Sequence, residues 1–185
     1  MDALTALTTR VSPARLVDPA PEGATLDSIL NAGLRAADHG KLRPWKFLLI
    51  RGDARKRFGD VLAEALRSRQ PATEEKFLQA ERDKPLRAPL LIVVAAAVQD
   101  NPKIPEIEQV VSAGAAAQNM LVAAHALGFG GFWRTGAPAY DAQVKQALGL
   151  KPNDTLVGIL YIGKVGAVGP AKAPDPSGVV AEWTG

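Results

Sequence analysis

Residues 112–126 read SAGAAAQNMLVAAHA, a run of small and apolar residues with almost no polar face. The pattern predicts one long helix from about Glu106 to Leu127, closed by Gly128 at its C-terminal end. A helix that is apolar all round has to be surrounded by protein. Because 185 residues leave limited chain for that purpose, the helix is either the core of a monomer or the interface of a dimer, and we favour the dimer.

Shorter elements flank the long helix on both sides. Apolar residues at helical spacing predict helices over residues 2–9, 25–38, 54–68 and 141–148. Apolar runs of strand length predict strands over residues 45–50, 90–97, 129–134 and 156–162. Helices that alternate with single strands predict one three-layer domain over residues 1–185, with a sheet covered by helices on both faces. Within it, the polar segment 69–85 is a candidate lid with a weak helix at 73–80, and residues 163–185 form an extended arm.

Composition excludes several classes of protein and site. The chain has no cysteine, so disulfides, thiolate metal sites and cysteine nucleophiles are absent. Twenty-two basic and nineteen acidic residues give a net charge of +3, and they are interleaved along the chain, which argues against a nucleic-acid partner. The N-terminus lacks a signal pattern, and no apolar run reaches the roughly 18 residues of a membrane span. We therefore expect a cytoplasmic protein without a membrane partner.

Common catalytic motifs are missing from the sequence. It contains no Gly-x-Ser-x-Gly elbow and no Walker-type phosphate loop. Its two histidines, His39 and His125, have no carboxylates near them at metal-ligand spacing, and His125 is expected to be a hydrogen-bonded packing residue. The Gly128-Phe-Gly-Gly131 segment ends a helix instead of opening one, unlike a dinucleotide fingerprint. We predict neither a catalytic side chain nor a metal site.

Cationic and hydroxyl side chains at the ends of elements suit a phosphorylated ligand. Arg10 and Ser12 are two apart in an extended segment, so they project to the same side. Arg35 and His39 are four apart and would share one helix face. A further pair, Arg134 and Thr135, follows a short strand. Each arginine alone could be a surface charge, and spacing does not show that these groups converge.

Several segments, taken in order, resemble the nitroreductase family. Arg10-Val-Ser12 resembles its Arg-Arg-Ser opening, and Pro44-Trp-Lys-Phe47 resembles its Pro-Trp-x-Phe segment. Residues 113–133 resemble its long dimer helix and the strand that follows, and residues 157–163 resemble its last core strand. The chain length and the Trp-Arg-Thr-Gly segment from Trp133 are similar to the short YdjA-like branch. The resemblance extends from Asp2 to about Pro176.

The resemblance implies an α+β fold, a nitroreductase-like three-layer α/β/α sandwich with a central mixed, largely antiparallel sheet. It also implies a homodimer formed through the long central helix, with FMN bound at the subunit interface and NADH or NADPH as the electron donor. The FMN-binding residues that it implies are Arg10, Val11 through its backbone, Ser12, Arg35, His39, Trp133, Arg134 and Thr135. His39 would come from the other subunit, and residues 123–128 match a stretch assigned to NAD(P)H.

The implied activity is ping-pong hydride transfer through flavin N5 to a nitroaromatic, quinone or similar electron-poor small molecule. Alternatives are a flavin-binding or ligand-binding protein without turnover, and a reductive dehalogenase or flavin-destructase-like relative. Two departures bear on the flavin: Val11 replaces the second arginine, and Lys41 stands where many larger relatives have an asparagine. Lys41 either brings positive charge near the N1–O2 edge of the ring or points to solvent. The natural acceptor and the choice of donor stay open.

Overall fold

The computed structural model of the protein describes residues 1–166 and 175–185. In chain order the elements are α1 Ala3–Thr9, β1 Leu16–Val17, α2 Gly23–Gly33, β2 Trp45–Arg51, α3 Ala54–Arg69, α4 Glu75–Asp83, β3 Leu90–Ala96, α5 Glu106–Ala126, β4 Gly130–Arg134, α6 Ala137–Tyr140, α7 Ala142–Ala147 and β5 Thr155–Val165. Two 3₁₀ turns, His39–Lys41 and Lys84–Arg87, join them. Among the described residues, no helix is long and apolar enough to cross a bilayer.

The sheet is organised around β5. This strand pairs with β3 and β4, its last two residues pair with β1, and β3 pairs in turn with β2. Every pairing among the described residues is antiparallel. The prediction of a largely antiparallel sheet in an α+β fold is therefore confirmed.

Strand β3 shows how the three layers form. All seven of its residues are buried, and successive side chains point to opposite faces, as strand geometry requires. Leu91 and Val93 pack with Phe58 of α3 on one face. Ile92 and Val94 pack with α2 and α5 on the other. The predicted helix layers on both faces of the sheet are therefore confirmed.

Helix α5 is buried on one side only within a single protomer. Its inward face, which includes Ala113, Ala117 and Met120, is buried against the sheet and α2. On the opposite side, Ile107 and Val111 are 65% and 63% exposed. The expectation that protein surrounds this helix is met on one face, and the other face lacks cover from the described residues.

Helix α2 is shorter than predicted. It ends at Gly33 instead of continuing to about Asp38, because the chain tightens into i→i+3 turns after this glycine, a residue that disfavours helix. The backbone N–H of Ala36 donates to the carbonyl of Gly33 at 3.1 Å in this turn. Further on, Asp38 has an extended backbone. Gly33 itself packs directly on Met120 of α5.

Two further boundaries differ from the predictions, and one short helix was not predicted. The segment 69–85 carries α4 at residues 75–83, and α4 packs on α3, where Gly59 meets the backbone of Arg82. The helix predicted over 141–148 is confirmed as α7, with Asp141 capping it through its carboxylate, and the short helix α6 that precedes it was not predicted. Strand β5 continues to Val165, so the proposed arm does not begin at Gly163. Part of that arm, residues 167–174, lies outside the described residues.

Candidate functional site

Arg10 and Ser12 converge immediately after α1. Arg10 Nη1 donates to Ser12 Oγ at 3.1 Å and to the carbonyl of Val11 at 3.2 Å. No described carboxylate forms an ion pair with Arg10. The predicted juxtaposition of a guanidinium and a hydroxyl is confirmed, and the remaining N–H groups suit an anion such as a phosphate.

The segment before Arg10 is anchored on the C-terminal end of α5. Thr9 Oγ1 donates to the carbonyl of Thr5 at 2.6 Å and lies 2.9 Å from His125 Nε2. Because the single hydroxyl proton of Thr9 is already used, we infer that His125 Nε2 is the donor in the second contact. His125 is therefore a hydrogen-bonded packing residue, as predicted. Its contact fixes the position of the backbone that carries Arg10.

Arg35 lies beside the C-terminal half of α5. It borders a cavity of about 540 Å³ between α1 and α5, together with Leu7, Asn119 and Ala123. Asn119 Nδ2 donates to the carbonyl of Ala32 at 3.2 Å, which holds the end of α2 against α5. The side of α5 that borders this cavity is part of its uncovered face.

His39 lies elsewhere, beside the first turn of α5. Its Nδ1 is 2.5 Å from Glu108 Oε2. The structure therefore contradicts the expectation that Arg35 and His39 share one helix face. The physical reason is the early end of α2, which places Arg35 in a turn and His39 in a separate 3₁₀ turn.

The loop that carries His39 has an unusual backbone. Gly40, Lys41 and Arg43 all have positive φ angles, at 69°, 57° and 49°. Left-handed conformations are uncommon for residues with a Cβ, and they cluster at functional sites where surrounding contacts enforce them. Here Asp38 Oδ2 accepts from the backbone N–H of Arg43 at 2.8 Å. The side chain of Lys41 is exposed in the protomer.

The candidate residues are spread along α5. His39 contacts residue 108, whereas Thr9, the neighbour of Arg10, contacts residue 125. The 17 residues between these positions span about 25 Å at the helical rise of 1.5 Å per residue. Arg10 and His39 of one protomer therefore cannot bind the same end of one small ligand.

Trp133 and Arg134 lie on opposite faces of the sheet, although the resemblance places them in one contact segment. Trp133 packs with the α5 layer, and its Nε1 donates to the carbonyl of Val157 at 3.2 Å. The Arg134 guanidinium is 4.4 Å from the centre of the Phe132 ring and 5.8 Å from that of Tyr161. Alternation along β4 causes this separation.

Arg134 and Thr135 border a small cavity of about 180 Å³ with Lys84 and Tyr161. Burial raises the pKa of the Tyr161 phenol above its usual value, and the positive charge of Arg134 opposes that rise. The phenol is therefore neutral near pH 7 and available as a hydrogen-bond donor. A larger cavity, of about 670 Å³, lies between α3 and α4, and none of the eight expected residues borders it.

The geometry suits an elongated ligand with an anionic end. Pro13, next to Ser12, faces Gly130 at the start of β4. Thr135 follows five residues later, about 16 Å away at 3.3 Å per residue. A phosphate at Arg10 and Ser12 and a planar ring toward the end of β4 are compatible with this length. The donor set of this protomer therefore fits the phosphate end of FMN, and His39 of the same protomer is too far away to join it.

Sequence reasoning missed two long-range contacts near the expected site residues, those of Glu108 with His39 and of Thr9 with His125. Glu108 lies 69 residues from His39, and Thr9 lies 116 residues from His125. Neither pair follows a local spacing rule, so no signal in a single sequence connects them. The opposite orientation of Trp133 and Arg134 did have a signal, the two-residue period of a strand.

Comparison with known proteins identifies relatives in sequence and in fold. The model of the nitroreductase family matches residues 8–164. The chain is 42% identical over 179 residues to YdjA of Escherichia coli (strain K12), provisionally named an NAD(P)H nitroreductase, covering 96% of this chain and 97% of YdjA. A provisionally named NAD(P)H nitroreductase of Haemophilus influenzae is 36% identical over 164 residues, which is 88% of each chain.

Solved structures agree with the family match. A nitroreductase-like family protein from Bacillus cereus superimposes with a TM-score of 0.84 at 26% identity, covering 100% of this chain and 97% of that one. A protein from Desulfovibrio desulfuricans, provisionally described as a nitroreductase and solved in complex with FMN, gives 0.75 at 27% identity, with 99% and 97% covered. On the family match and the identity to YdjA together, the chain belongs to the nitroreductase family, as a YdjA-like member.

Proposed function

We propose that the protein is a homodimeric, FMN-dependent NAD(P)H oxidoreductase that reduces nitroaromatics, quinones or similar electron-poor small molecules. The observation that carries this proposal is the roughly 25 Å separation between the two groups of candidate residues along α5. Relatives named as NAD(P)H nitroreductases, and a relative solved with FMN, support the choice of donor and cofactor.

The uncovered face of α5 supplies the argument for two subunits. We define its open stripe as Ile107, Val111, Ala115, Gln118 and Val122, which recur at helical spacing. Apolar side chains as exposed as Ile107 and Val111 mark interaction surfaces when they are contiguous. Two smaller cavities along this stripe, of about 270 and 540 Å³, show that the protomer leaves the face incompletely filled.

A two-fold dimer through this stripe would complete the site. A two-fold axis that crosses the middle of the stripe at right angles to α5 reverses the second helix, so the residue-108 end of one α5 would lie near the residue-125 end of the other. Each site would then take Arg10 and Ser12 from one subunit and His39 from the other. Two equivalent sites would form in each dimer.

The residues of the chain would bind and orient the reactants. FMN, when bound, supplies the hydride chemistry between a nicotinamide and the acceptor. Arg10 and Ser12 would hold its phosphate through a guanidinium and a hydroxyl, with the N–H of Val11 beside them. The end of β4, at residues 133–135, would lie along the ring, and Arg35 and His39 would add positive charge or hydrogen bonds. In this scheme no side chain of the protein acts as a nucleophile.

The deciding experiment is an absorbance spectrum of the purified protein with FMN added, followed by anaerobic additions of NADH and then NADPH. We expect bound-flavin bands that bleach with at least one nucleotide and recover when a nitroaromatic or a quinone is added. Bound flavin that neither nucleotide reduces would support the alternative of a flavin-binding protein without this turnover. Failure to bind FMN at all would overturn the proposal.

A further inference from the structure

We propose that Glu108 is a positioning residue for the flavin site, acting through His39. The contact between His39 Nδ1 and Glu108 Oε2, at 2.5 Å, holds the imidazole with its Nε2 directed away from its own protomer's carboxylate. This inference rests on the proposed function, because it assigns Glu108 to a flavin site that His39 enters from the other subunit.

The hydrogen-bond chemistry of the pair fixes which nitrogen is available. An ionised carboxylate can only accept, so Nδ1 of His39 has to carry the proton that it shares with Glu108. Nε2 has no hydrogen-bond partner among the described residues. By holding Nδ1, Glu108 leaves Nε2 available to a ligand, as an acceptor in the neutral ring and as a donor in the protonated ring.

Hydrogen bonds and packing contacts hold the loop that carries His39 in place, as a ligand-binding role for this residue requires. The hydroxyl of Ser112, one helical turn after Glu108, donates to the carbonyl of Ala37 at 2.7 Å. On the other side of the histidine, Gln99 Nε2 donates to the carbonyl of Leu42 at 2.8 Å. Ile104 packs on Gly40, where any Cβ would overlap its side chain. A ligand-binding group held by such supporting contacts loses little conformational freedom on binding.

A contribution to folding stability does not account well for the His39–Glu108 pair. In the protomer the two side chains are 61% and 45% exposed, and ion pairs so exposed contribute little to folding. A second reading is that Glu108 only complements the positive N-terminal end of α5. Glu106 provides a matched control for that reading, because it lies in the same first turn and has no contact with His39.

The test compares four variants, Glu108→Ala, Glu108→Gln, Glu106→Ala and His39→Ala, with light scattering to check that each remains a dimer. The first readout is nitrogen-15 NMR of the two imidazoles at a pH where they are neutral. Because the chain has only two histidines, His39→Ala assigns the signals. We expect the Nδ1–H tautomer for His39 in the wild type and in Glu106→Ala, and its loss in Glu108→Ala.

The second readout is FMN affinity, measured by quenching of flavin fluorescence. Glu108→Ala and His39→Ala should each weaken FMN binding about tenfold, the effect of losing one charge-assisted hydrogen bond. Glu106→Ala should bind as the wild type does. Glu108→Gln keeps an oxygen acceptor at the same place, so it should recover most of the affinity.

The outcomes separate this inference from the function on which it rests. A wild-type protein that binds no FMN would count against the proposed function. If the wild type binds FMN and Glu108→Ala matches Glu106→Ala in affinity, the inference is overturned while the function stands. An unchanged tautomer of His39 in Glu108→Ala would overturn it as well.

Discussion

Trp133 lies directly against Gly158 on the neighbouring strand, where an added Cβ would overlap the indole. The indole Nε1 donates to the carbonyl of Val157, so the ring is fixed by backbone on β5. This is the edge at which the proposed ring-binding residues leave the sheet. The position of Trp133 therefore depends on the absence of a side chain at residue 158.

Replacing Gly158 with alanine should displace Trp133. Overpacking of this kind costs about 1–3 kcal/mol in the free energy of unfolding, and we expect weaker FMN binding in addition. Chemical denaturation and flavin titration measure the two effects. Gly166→Ala is the control, because the Cβ there would meet no atom within 4 Å. Equal stability and affinity in the two variants would show that Trp133 does not need this space.

Replacing Val111 with glutamate should dissociate the proposed dimer. It would place a charge in the open stripe of α5, and a buried unpaired charge is costly at an interface. Light scattering should report a monomer with greatly weakened FMN binding. Leu86→Glu, a charge added at an exposed apolar residue outside α5, should leave the mass and the affinity unchanged. A dimer that persists in Val111→Glu would exclude this stripe as the interface.

Replacing Arg10 with alanine should weaken FMN much more than riboflavin. Loss of a charge-assisted contact to the phosphate corresponds to about 10- to 100-fold in the dissociation constant. Riboflavin has no phosphate, so its affinity should hardly change. Isothermal titration with both flavins measures the difference, and Arg15→Ala, a substitution in the same exposed segment, is the control. Parallel losses for both flavins would show that Arg10 acts on folding or on the ring.

Replacing Asp141 with alanine should destabilise the fold. This buried carboxylate accepts from the backbone N–H groups of Gln143 and Val144 at 2.8 and 3.2 Å, and it also pairs with Arg69. Losing a helix cap and one partner of a largely buried ion pair should cost about 2–4 kcal/mol. Urea denaturation measures this loss in the free energy of unfolding, and Asp53→Ala, at an exposed carboxylate, is the control. A cost no larger than that of the control would contradict the assigned role.

The cap of α1 should be sensitive to acid. Hydrogen bonds from the hydroxyl and N–H of Thr5 lower the pKa of Asp2 below its ordinary value of 3.8. A lowered pKa means that the cap is fully present above that value and is lost as the pH falls through the folded-state pKa. The protection of the α1 amides, which is their exchange rate relative to that of an unstructured peptide at the same pH, should therefore fall at low pH. Asp2→Ala should show low protection at every pH, and a fall in protection at low pH that persists in this variant would refute the link.

The sequence predicted the individual helices and strands better than it predicted which residues of different elements come into contact. The buried strand β3, the length of α5 and the cap at Asp141 all follow from local pattern, and the structure confirms them. The end of α2 did not follow, because the chain turns after Gly33 and is extended at Asp38, a change that helical periodicity does not mark. For the same reason the pairing of Arg35 with His39 was wrong.

The juxtaposition of Arg10 and Ser12 was predictable because it is local. Two residues apart in an extended segment, their side chains share one side of the backbone, and the structure confirms it. Contacts such as the one between His39 and Glu108 depend instead on how distant elements pack. A single sequence does not show how distant elements pack. The position of this part of the candidate site could therefore be established only from the structure.

The distance between Arg10 and His39 along α5 has a thermodynamic consequence. If each flavin site needs both subunits, cofactor binding and subunit association are linked equilibria, and each strengthens the other by the same factor. Flavin occupancy should then rise with protein concentration even when free FMN is held constant. Dilution alone would release the flavin, so the cell's supply of the polypeptide, as well as its supply of FMN, would set the amount of active enzyme.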